Sequence, residues 1–211
     1  MTDATAAEFD RQLENLIQKG YAPLAGVTAG EFRRRLEPLR AAAAALADPG
    51  DGLETEGTPF VIVVNGDLLS ADRTVELIER RGKAGFSVLD PDDLRRFRPI
   101  ETVELPRGPA YLAVDVDTGA DTCNVTPDDA LERIEARGRS PLTIEEGLAL
   151  ITHRPEAVAR NAGFSLPGSR CGDRRVTALW ISNGRPKLGW CWAGNPHTWL
   201  GSASCARRVG R

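Results

Sequence analysis

The chain has 211 residues, a hydrophobic content of 41%, a charged content of 27% and a formal net charge of -3. These values are ordinary for a soluble globular protein of one domain, or of one domain with a smaller appendage. They argue against a general affinity for nucleic acid or anionic membranes, and no stretch approaches the roughly 18 consecutive apolar residues of a membrane span. The polar start of the chain lacks the pattern of a secretory signal, so we expect a cytoplasmic protein with reduced cysteines.

The first part of the chain, residues 1–52, is predicted to form an N-terminal helical unit. Apolar residues recur at helical spacing from Phe9 onward, and Thr28 with Glu31 forms a capping-box pattern. Pro38 should kink or split the second helix, because proline removes a backbone hydrogen bond. We expect the remaining residues, 53–211, to form an α+β unit that packs with the helices as one compact fold.

The α+β unit is predicted from local signals taken in chain order. Residues 60–64 (FVIVV) and 111–116 are typical of strands, and residues 72–81 have helical character. Thr143 with Glu146 predicts the start of a later helix, and Asn183-Gly184 predicts a β-hairpin. The expected fold class is α+β, with N-terminal helices and a small mixed or antiparallel sheet. That sheet should include both strands and the C-terminal hairpin, with the helices packed on one side.

Residues 163–211, the C-terminal tail, differ from the rest of the chain in composition. All four tryptophans and three of the four cysteines lie there. Eight basic residues and one acidic residue give the tail a charge of +7, against -10 for the remainder. Such a split indicates either that an anion is recognised in the tail or that the two parts of the chain attract each other. We therefore expect the chemistry of the protein to lie in the tail.

The predicted hairpin in the tail has two apolar faces. A two-residue loop would pair Leu179 with Leu188, and a four-residue loop would pair Leu179 with Trp190. Both registers give the same faces, because they differ by an even number of positions. Since both faces are apolar, the hairpin should be largely buried, or one of its faces should line a pocket.

The first candidate site is a glycine-bounded loop at residues 168–173 and the arginines that follow it. The residues predicted to act there are Arg170, Cys171, Asp173, Arg174 and Arg175. Glycine lets backbone N–H groups approach an anion, and arginine adds positive charge. A nearby cation also favours the thiolate, which lowers the pKa of a cysteine. The alternative is a tight turn before a strand, with an inert buried cysteine.

Thiols and an imidazole form the second candidate site. Cys171 or Cys205, with His197 as general base oriented by Asp173, has the residue types of an activated thiol nucleophile. Cys171, Cys191, His197 and Cys205 also have the residue types of a tetrahedral zinc site, but they lack the closely spaced pairs usual in structural zinc sites. No cofactor is favoured, and zinc is the alternative. Thiols packed in a core are the structural alternative to both.

Aromatic and polar residues of the tail complete the candidate ligand site. Trp199, next to His197, can stack on a ring, and the arginines with Asn195 can hold polar groups. Ser204 and Cys205 lie in a small-residue loop that could approach a ligand. The alternative is a tryptophan-rich core surrounded by solvated arginines, and it is favoured for the two tryptophans of the second hairpin strand.

Several strings of the sequence are distinctive, at residues 139–147, 168–175 and 189–199 (GWCWAGNPHTW). Together with residues 9–21 and 111–117, they resemble an uncharacterised bacterial domain family of unknown function. The resemblance covers most of the chain and implies a shared fold. It implies no activity, cofactor or catalytic residue.

Three functions remain as hypotheses, and the sequence leaves open whether the protein is an enzyme and what its oligomeric state is. The first is that the protein binds an anionic small molecule in a C-terminal Cys/His/Trp/Arg pocket. A catalytic form of this hypothesis is that the protein also transforms the bound molecule. In that form, Cys171 and His197 are the reactive pair. The second is a zinc-stabilised interaction module without catalysis. The third is single-stranded nucleic-acid binding through the tail, ranked last because the rest of the chain is acidic. No membrane partner is expected.

Overall fold

The computed structural model describes residues 2–46 and 58–210, and their fold is of the expected α+β class. The helices are α1 (Thr2–Gln18), α2 (Tyr21–Leu24), α3 (Ala29–Leu36), α4 (Pro38–Ala45), α5 (Ala71–Thr74), α6 (Pro91–Leu94), α7 (Pro127–Ala136) and α8 (Ile144–His153). The strands are β1 (Thr58–Val64), β2 (Glu79–Arg80), β3 (Lys83–Ala84), β4 (Phe86–Ser87), β5 (Arg98–Pro99), β6 (Ala110–Asp117), β7 (Ser140–Pro141), β8 (Gly163–Leu166), β9 (Ser169–Arg170), β10 (Arg175–Ser182), β11 (Arg185–Trp192), β12 (Leu200–Ser202) and β13 (Ser204–Val209). None of the helices in these ranges combines the length and the apolar character that crossing a bilayer requires.

Two predicted features of the N-terminal helices, the cap at Thr28 and the break at Pro38, are confirmed. Thr28 caps α3, since its hydroxyl oxygen accepts a hydrogen bond from the Glu31 N–H at 3.2 Å. Pro38 splits the predicted second helix, so that α3 ends at Leu36 and α4 begins at the proline itself. The predicted boundary of this unit at residue 52 lies outside the described residues.

The first sheet has four antiparallel strands in the order β1-β6-β13-β7. On one face of β1, Phe60 and Ile62 pack in a core with α1, α3 and α4. On the other face, Val61 and Val63 pack in a second core with α8. The expectation that helices pack on one side is wrong for this sheet, because β1 is apolar on both faces and each face needs a cover.

Side chains of two helices also bind the edge of β1. Gln12 donates to the Phe60 carbonyl oxygen at 2.9 Å and accepts from the Ile62 N–H at 2.8 Å. His153 Nε2, at the end of α8, lies 3.1 Å from the Ile62 carbonyl oxygen. Burial lowers the pKa of His153 to about 3, so the ring is neutral at neutral pH. These side chains cover a strand edge that would otherwise expose unpaired backbone groups.

The second sheet has five strands in the order β12-β8-β10-β11-β4, and it contains the predicted hairpin. The expectation that the hairpin joins β1 and β6 in one sheet is wrong, because β10 pairs with β8 and β11 pairs with β4. The two-residue loop is confirmed, since Leu179 pairs with Leu188. Asn183 and Gly184 have φ angles of 52° and 74°, as a type I′ turn requires. One face of the hairpin packs on the core around α8, and the other forms a separate cluster with two tryptophans.

The segment between β1 and β6 departs most from the prediction. The helix predicted over residues 72–81 is limited to α5, and the chain then forms the small hairpin β2–β3. Arg81 and Gly82 make its turn with φ angles of 52° and 75°, which a right-handed helix cannot contain. The segment therefore folds back on itself and leaves a cleft beside the end of β1.

Candidate functional site

All four tryptophans of the chain line one cavity of about 230 Å³, which we call the tryptophan pocket. Its other lining residues include Cys191, Asn195 and His197. Trp180 and Cys191 come from the same face of the hairpin. Trp190 and Trp192 come from the opposite face by the strand register, so both faces of the hairpin contribute to the lining and not the single face that was expected.

Neighbours across the hairpin hold Trp180 in the pocket wall. Its indole lies over Gly189, where a Cβ atom would come within 2.4 Å of the ring, so only glycine permits this approach. The Lys187 ammonium group lies 4.8 Å from the centroid of the same ring, within cation–π range. Trp199 meets Trp180 edge to face, with centroids 6.0 Å apart. These contacts fix one wall of the pocket and place a cation against one of its rings.

Trp190 and Trp192 form a second edge-to-face pair, with ring centroids 4.8 Å apart. Trp190 is half-buried against the core around α8, and the Arg175 guanidinium lies 6.0 Å from its ring centroid. Trp192 is 47% exposed. The interpretation of these two tryptophans as core residues thus fits Trp190 and is wrong for Trp192.

The loop after β11 brings Asn195 and His197 to the pocket. The Ala193 N–H donates to the carbonyl oxygen of Arg174 at 2.8 Å, which ties this loop to the residues before β10. The guanidinium of Arg174 lies against Gly194, where a Cβ atom would be 2.7 Å from Nη2. The exposed side chain of Arg174 therefore lies against the loop that carries Asn195, although Arg174 does not itself line the pocket.

His197 is a half-buried side chain of the pocket, with its ring centroid 5.8 Å from that of Trp199. Its Nε2 atom is buried and has no hydrogen-bond partner within the described part of the chain. A buried ring nitrogen of this kind is a hydrogen-bonding group that the protein itself leaves unused.

Cys171 has other partners than the predicted histidine. Its thiol donates to Asp173 Oδ1 at 3.2 Å, and Arg175 Nη2 lies 3.7 Å from the sulfur. Burial and the hydrogen bond to Asp173 raise the pKa of Cys171, which is opposite to the lowering expected beside an arginine. Cys171 does not line the tryptophan pocket and shares no hydrogen bond with His197. The structure therefore does not join the predicted reactive pair at this cavity.

Ser204 and Cys205 lie in β13, so the predicted small-residue loop is wrong. The preceding Gly201 passes so close to another segment that a Cβ atom would be 2.3 Å from the carbonyl oxygen of Gly119. The small residues thus pack against the backbone of the same chain. Ser204 accepts a hydrogen bond from Arg139 at 2.9 Å, and burial raises the pKa of Cys205 to about 12.

The residues of the zinc alternative are not assembled into a metal site. Across residues 2–46 and 58–210, no three His, Cys, Asp or Glu side chains are grouped closely enough to hold a metal ion. Cys191 lines the tryptophan pocket, whereas Cys205 is buried in the core around α8. Burial also raises the pKa of Cys191 to about 11, which opposes the thiolate form that a metal requires.

Arginines of the tail are bound to acidic residues of earlier segments. Three such pairs are Arg170 with Asp128 (2.7 Å), Arg175 with Asp93 (2.8 Å) and Arg208 with Glu146 (2.5 Å). Of the two interpretations of the charge split, attraction between the two parts of the chain is confirmed. Two of the three predicted anion-binding arginines, Arg170 and Arg175, are thereby already paired.

A larger cavity, of about 620 Å³, lies outside every site predicted from the sequence. We call it the charged cleft, and its charged lining residues are Asp67, Asp72, Arg95, Arg98, Arg107 and Glu145. It lies beside the end of β1 and the start of α8. The available signal was weak: polar residues directly after a buried strand, and arginines scattered over residues 95–107.

Comparisons with known proteins identify the family of the chain. No curated protein and no solved structure matches the chain. The model of a family of unknown function (DUF5701) matches residues 15–211, a range that contains the tryptophan pocket and the charged cleft. The match confirms the resemblance to a domain family of unknown function, and the chain belongs to this family.

Proposed function

We propose that the protein binds a small planar anion, a ring system that carries an acidic group, in the tryptophan pocket. The observation that carries this proposal is that all four tryptophans of the chain border a single cavity. A volume of about 230 Å³ suits a small ring system, because pockets for drug-sized ligands measure roughly 300–1,000 Å³.

The pocket walls favour a flat ligand. Trp180 with Trp199, and Trp190 with Trp192, form edge-to-face pairs on the pocket border. An aromatic ring between such walls gains about 0.5–1.5 kcal/mol per ring pair beyond the burial of its area. The unused Nε2 of His197 would give a hydrogen bond to a polar atom of the same ligand once the half-buried ring turns toward the cavity that it lines.

Two cations beside the pocket support the acidic group of the ligand. The Lys187 ammonium group lies over Trp180, and the exposed Arg174 side chain stands beside the loop that carries Asn195. Arg170 and Arg175 are occupied by ion pairs with Asp128 and Asp93. Of the arginines predicted to hold the anion, the proposal therefore retains Arg174, and it adds Lys187.

The proposal is one of binding, without a thiol step. Covalent chemistry at cysteine requires the thiolate, and the pKa values of Cys171 and Cys191 are both raised, mainly by burial. We retain the cytoplasm as the proposed location. It is supported by the free thiols of all four cysteines, which persist in a reducing compartment.

Isothermal titration calorimetry with 2-naphthoate tests the proposal. We expect 2-naphthoate to bind at least about tenfold more tightly than neutral 2-naphthylmethanol or non-planar cyclohexanecarboxylate, a difference of about 1.4 kcal/mol. Equal affinity for the acid and the alcohol would remove the anion from the proposal. A complete lack of 2-naphthoate binding would overturn it.

Variants locate the binding. Trp199→Leu should weaken 2-naphthoate binding by removing a stacking wall, and Lys187→Met should reduce the preference for the acid over the alcohol, because it removes one of the two cations. Lys83→Met, at an exposed lysine outside the pocket, is the matched control and should change neither. Cys171→Ser should also bind normally, whereas its loss of binding would restore the thiol to the site.

A further inference from the structure

The charged cleft is a second cavity, separate from the tryptophan pocket. It shares no lining residue with the tryptophan pocket. Three carboxyl groups and three guanidinium groups line it, so both signs of charge are equally represented. Its volume of about 620 Å³ is within the range of small-molecule sites, roughly 300–1,000 Å³.

Within the described part of the chain, only one oxygen of the Asp72 carboxylate has a hydrogen-bond partner. Its side chain is 14% exposed, and Oδ2 accepts a hydrogen bond from Arg95 at 3.2 Å. Oδ1 is buried and has no hydrogen-bond partner among residues 2–46 and 58–210. Arg95 is itself shared with Asp92, at 2.7 Å. A buried polar atom without a partner costs free energy, and rotation of the Asp72 carboxylate toward the cleft that it lines would let a ligand N–H satisfy Oδ1.

Glu145 lies close to the backbone that follows β1. A Cβ atom on Gly66 would be 3.0 Å from Glu145 Oε1 and 3.3 Å from its Cγ and Cδ atoms. Gly66 does not have a left-handed φ angle, so the turn itself does not require glycine. Glycine is needed because the Glu145 side chain approaches the backbone closely. Burial raises the pKa of Glu145, while the charge of Arg98 opposes the increase. Glu145 thus adds a second carboxyl group for a hydrogen-bonding ligand.

Arg98 and Arg107 supply positive charge at the same cleft. Both side chains are exposed, and neither forms an ion pair with any residue that the structure describes. Arginine binds carboxylate through two parallel N–H···O bonds, which makes it the side chain best suited to that group. The cleft therefore offers hydrogen-bond acceptors and unpaired guanidinium groups together.

We propose that the charged cleft binds a small zwitterion, with its ammonium group at Asp72 and Glu145 and its carboxylate at Arg98 and Arg107. A simple anion would meet the carboxyl groups, and a simple cation would meet the arginines. Bringing like charges together costs free energy, so the cleft disfavours both simple anions and simple cations. A ligand that carries both charges satisfies both sets of side chains.

Titration of the ¹⁵N-labelled protein, followed by NMR, tests the proposal with three zwitterions of different spacing: glycine, 4-aminobutanoate and 6-aminohexanoate. Hexanoate and hexylamine carry one charge each and serve as comparison ligands. We expect the amide signals of Gly66 and Gly108, which line the cleft, to shift, while that of Gly194 stays in place. The affinity for at least one zwitterion should be at least about tenfold higher than the affinities for hexanoate and for hexylamine.

Two variants separate a charge-specific site from a general loss of structure. Asp72→Asn should lose the preference for the zwitterion over hexanoate, because it removes the partner of the ammonium group. The double variant Arg98→Gln/Arg107→Gln should lose the preference over hexylamine. Glu132→Gln and Arg133→Gln, at exposed positions of α7, are matched controls and should retain both preferences.

Three outcomes would overturn the proposal. They are hexanoate binding as tightly as every zwitterion, no shift with any of the three zwitterions, and unchanged preferences in both cleft variants. Since 2-naphthoate binding is measured separately at the tryptophan pocket, failure of this proposal leaves the proposed function intact, and the reverse also holds.

Discussion

Two sets of arginines in this protein differ in their burial and in their ion pairing. Arg170, Arg175 and Arg208 of the tail have side chains that are 19%, 15% and 6% exposed, and each is paired with an acidic residue of an earlier segment. Arg98 and Arg107 lie in the part of the chain that carries the acidic surplus, yet they are exposed at the charged cleft. A surplus of positive charge in a stretch of sequence therefore does not show where positive charge is available to a ligand.

The physical reason for the difference is desolvation. A guanidinium group that packs between secondary-structure elements loses water, and a nearby carboxylate together with further hydrogen bonds compensates for that loss. The tail packs against the acidic remainder of the chain, so its arginines find partners there. An arginine that stays in water beside a cavity has no such requirement and remains available.

The largest effect that this comparison predicts is on stability, in the variant Arg208→Met. Glu146 is fully buried and also accepts a hydrogen bond from the Tyr111 hydroxyl at 3.0 Å. Removal of Arg208 leaves that carboxylate without its cation, which costs about 3–5 kcal/mol of the free energy of unfolding. Urea unfolding measures the loss. The double variant Arg208→Met/Glu146→Gln should lose less, and a single variant as stable as the parent would contradict the assignment.

A smaller loss of stability is expected for Arg175→Met. Arg175 bridges Asp93 of α6 and Asp173 before β10, and its guanidinium also lies 5.6 Å from the ring centroid of Phe97. Arg96 pairs with the same Asp93 but is 61% exposed, which makes Arg96→Met the matched control. The urea midpoint should fall for Arg175→Met and stay constant for Arg96→Met. Equal midpoints would show that the bridge contributes nothing to the fold.

The third effect is on the reactivity of Cys171, whose thiol lies next to Arg175. Because burial and Asp173 raise its pKa, less thiolate is present at pH 7.5 than in a free cysteine, and alkylation by iodoacetamide should be slow. Asp173→Asn removes an acidic neighbour, lowers the pKa and should accelerate alkylation, as quantified by mass spectrometry of the Cys171 peptide. A rate that Asp173→Asn leaves unchanged or lowers would contradict this account of the thiol.

The smallest effect is expected at the cleft arginines. Arg98→Gln and Arg107→Gln should each change the free energy of unfolding by no more than about 0.5 kcal/mol, because neither side chain is packed or paired. Thermal and urea unfolding both measure this. If either variant were destabilised as strongly as Arg175→Met, the distinction between the two sets of arginines would fail.

Prediction from the sequence succeeded where the deciding contacts are local. The cap at Thr28, the split at Pro38 and the hairpin at Asn183-Gly184 each depend on φ angles or hydrogen bonds within a few residues. The helix predicted over residues 72–81 ends at Thr74, because residues 79–84 pair with each other as the hairpin β2–β3. The hairpin was placed in the wrong sheet because strand partners distant in sequence decide sheet membership.

The candidate sites follow the same division. The sequence by itself determined the composition of the tryptophan pocket, because its lining residues lie within residues 180–200 and a hairpin with its following loop brings them together. Only the tertiary structure decided that Cys171 lies outside that pocket, which arginines are neutralised, and that residues as distant as Asp72 and Glu145 line one cleft. Local turns act over a few residues, whereas ion pairing and cavity formation depend on which distant segments pack together, and no local pattern encodes that packing.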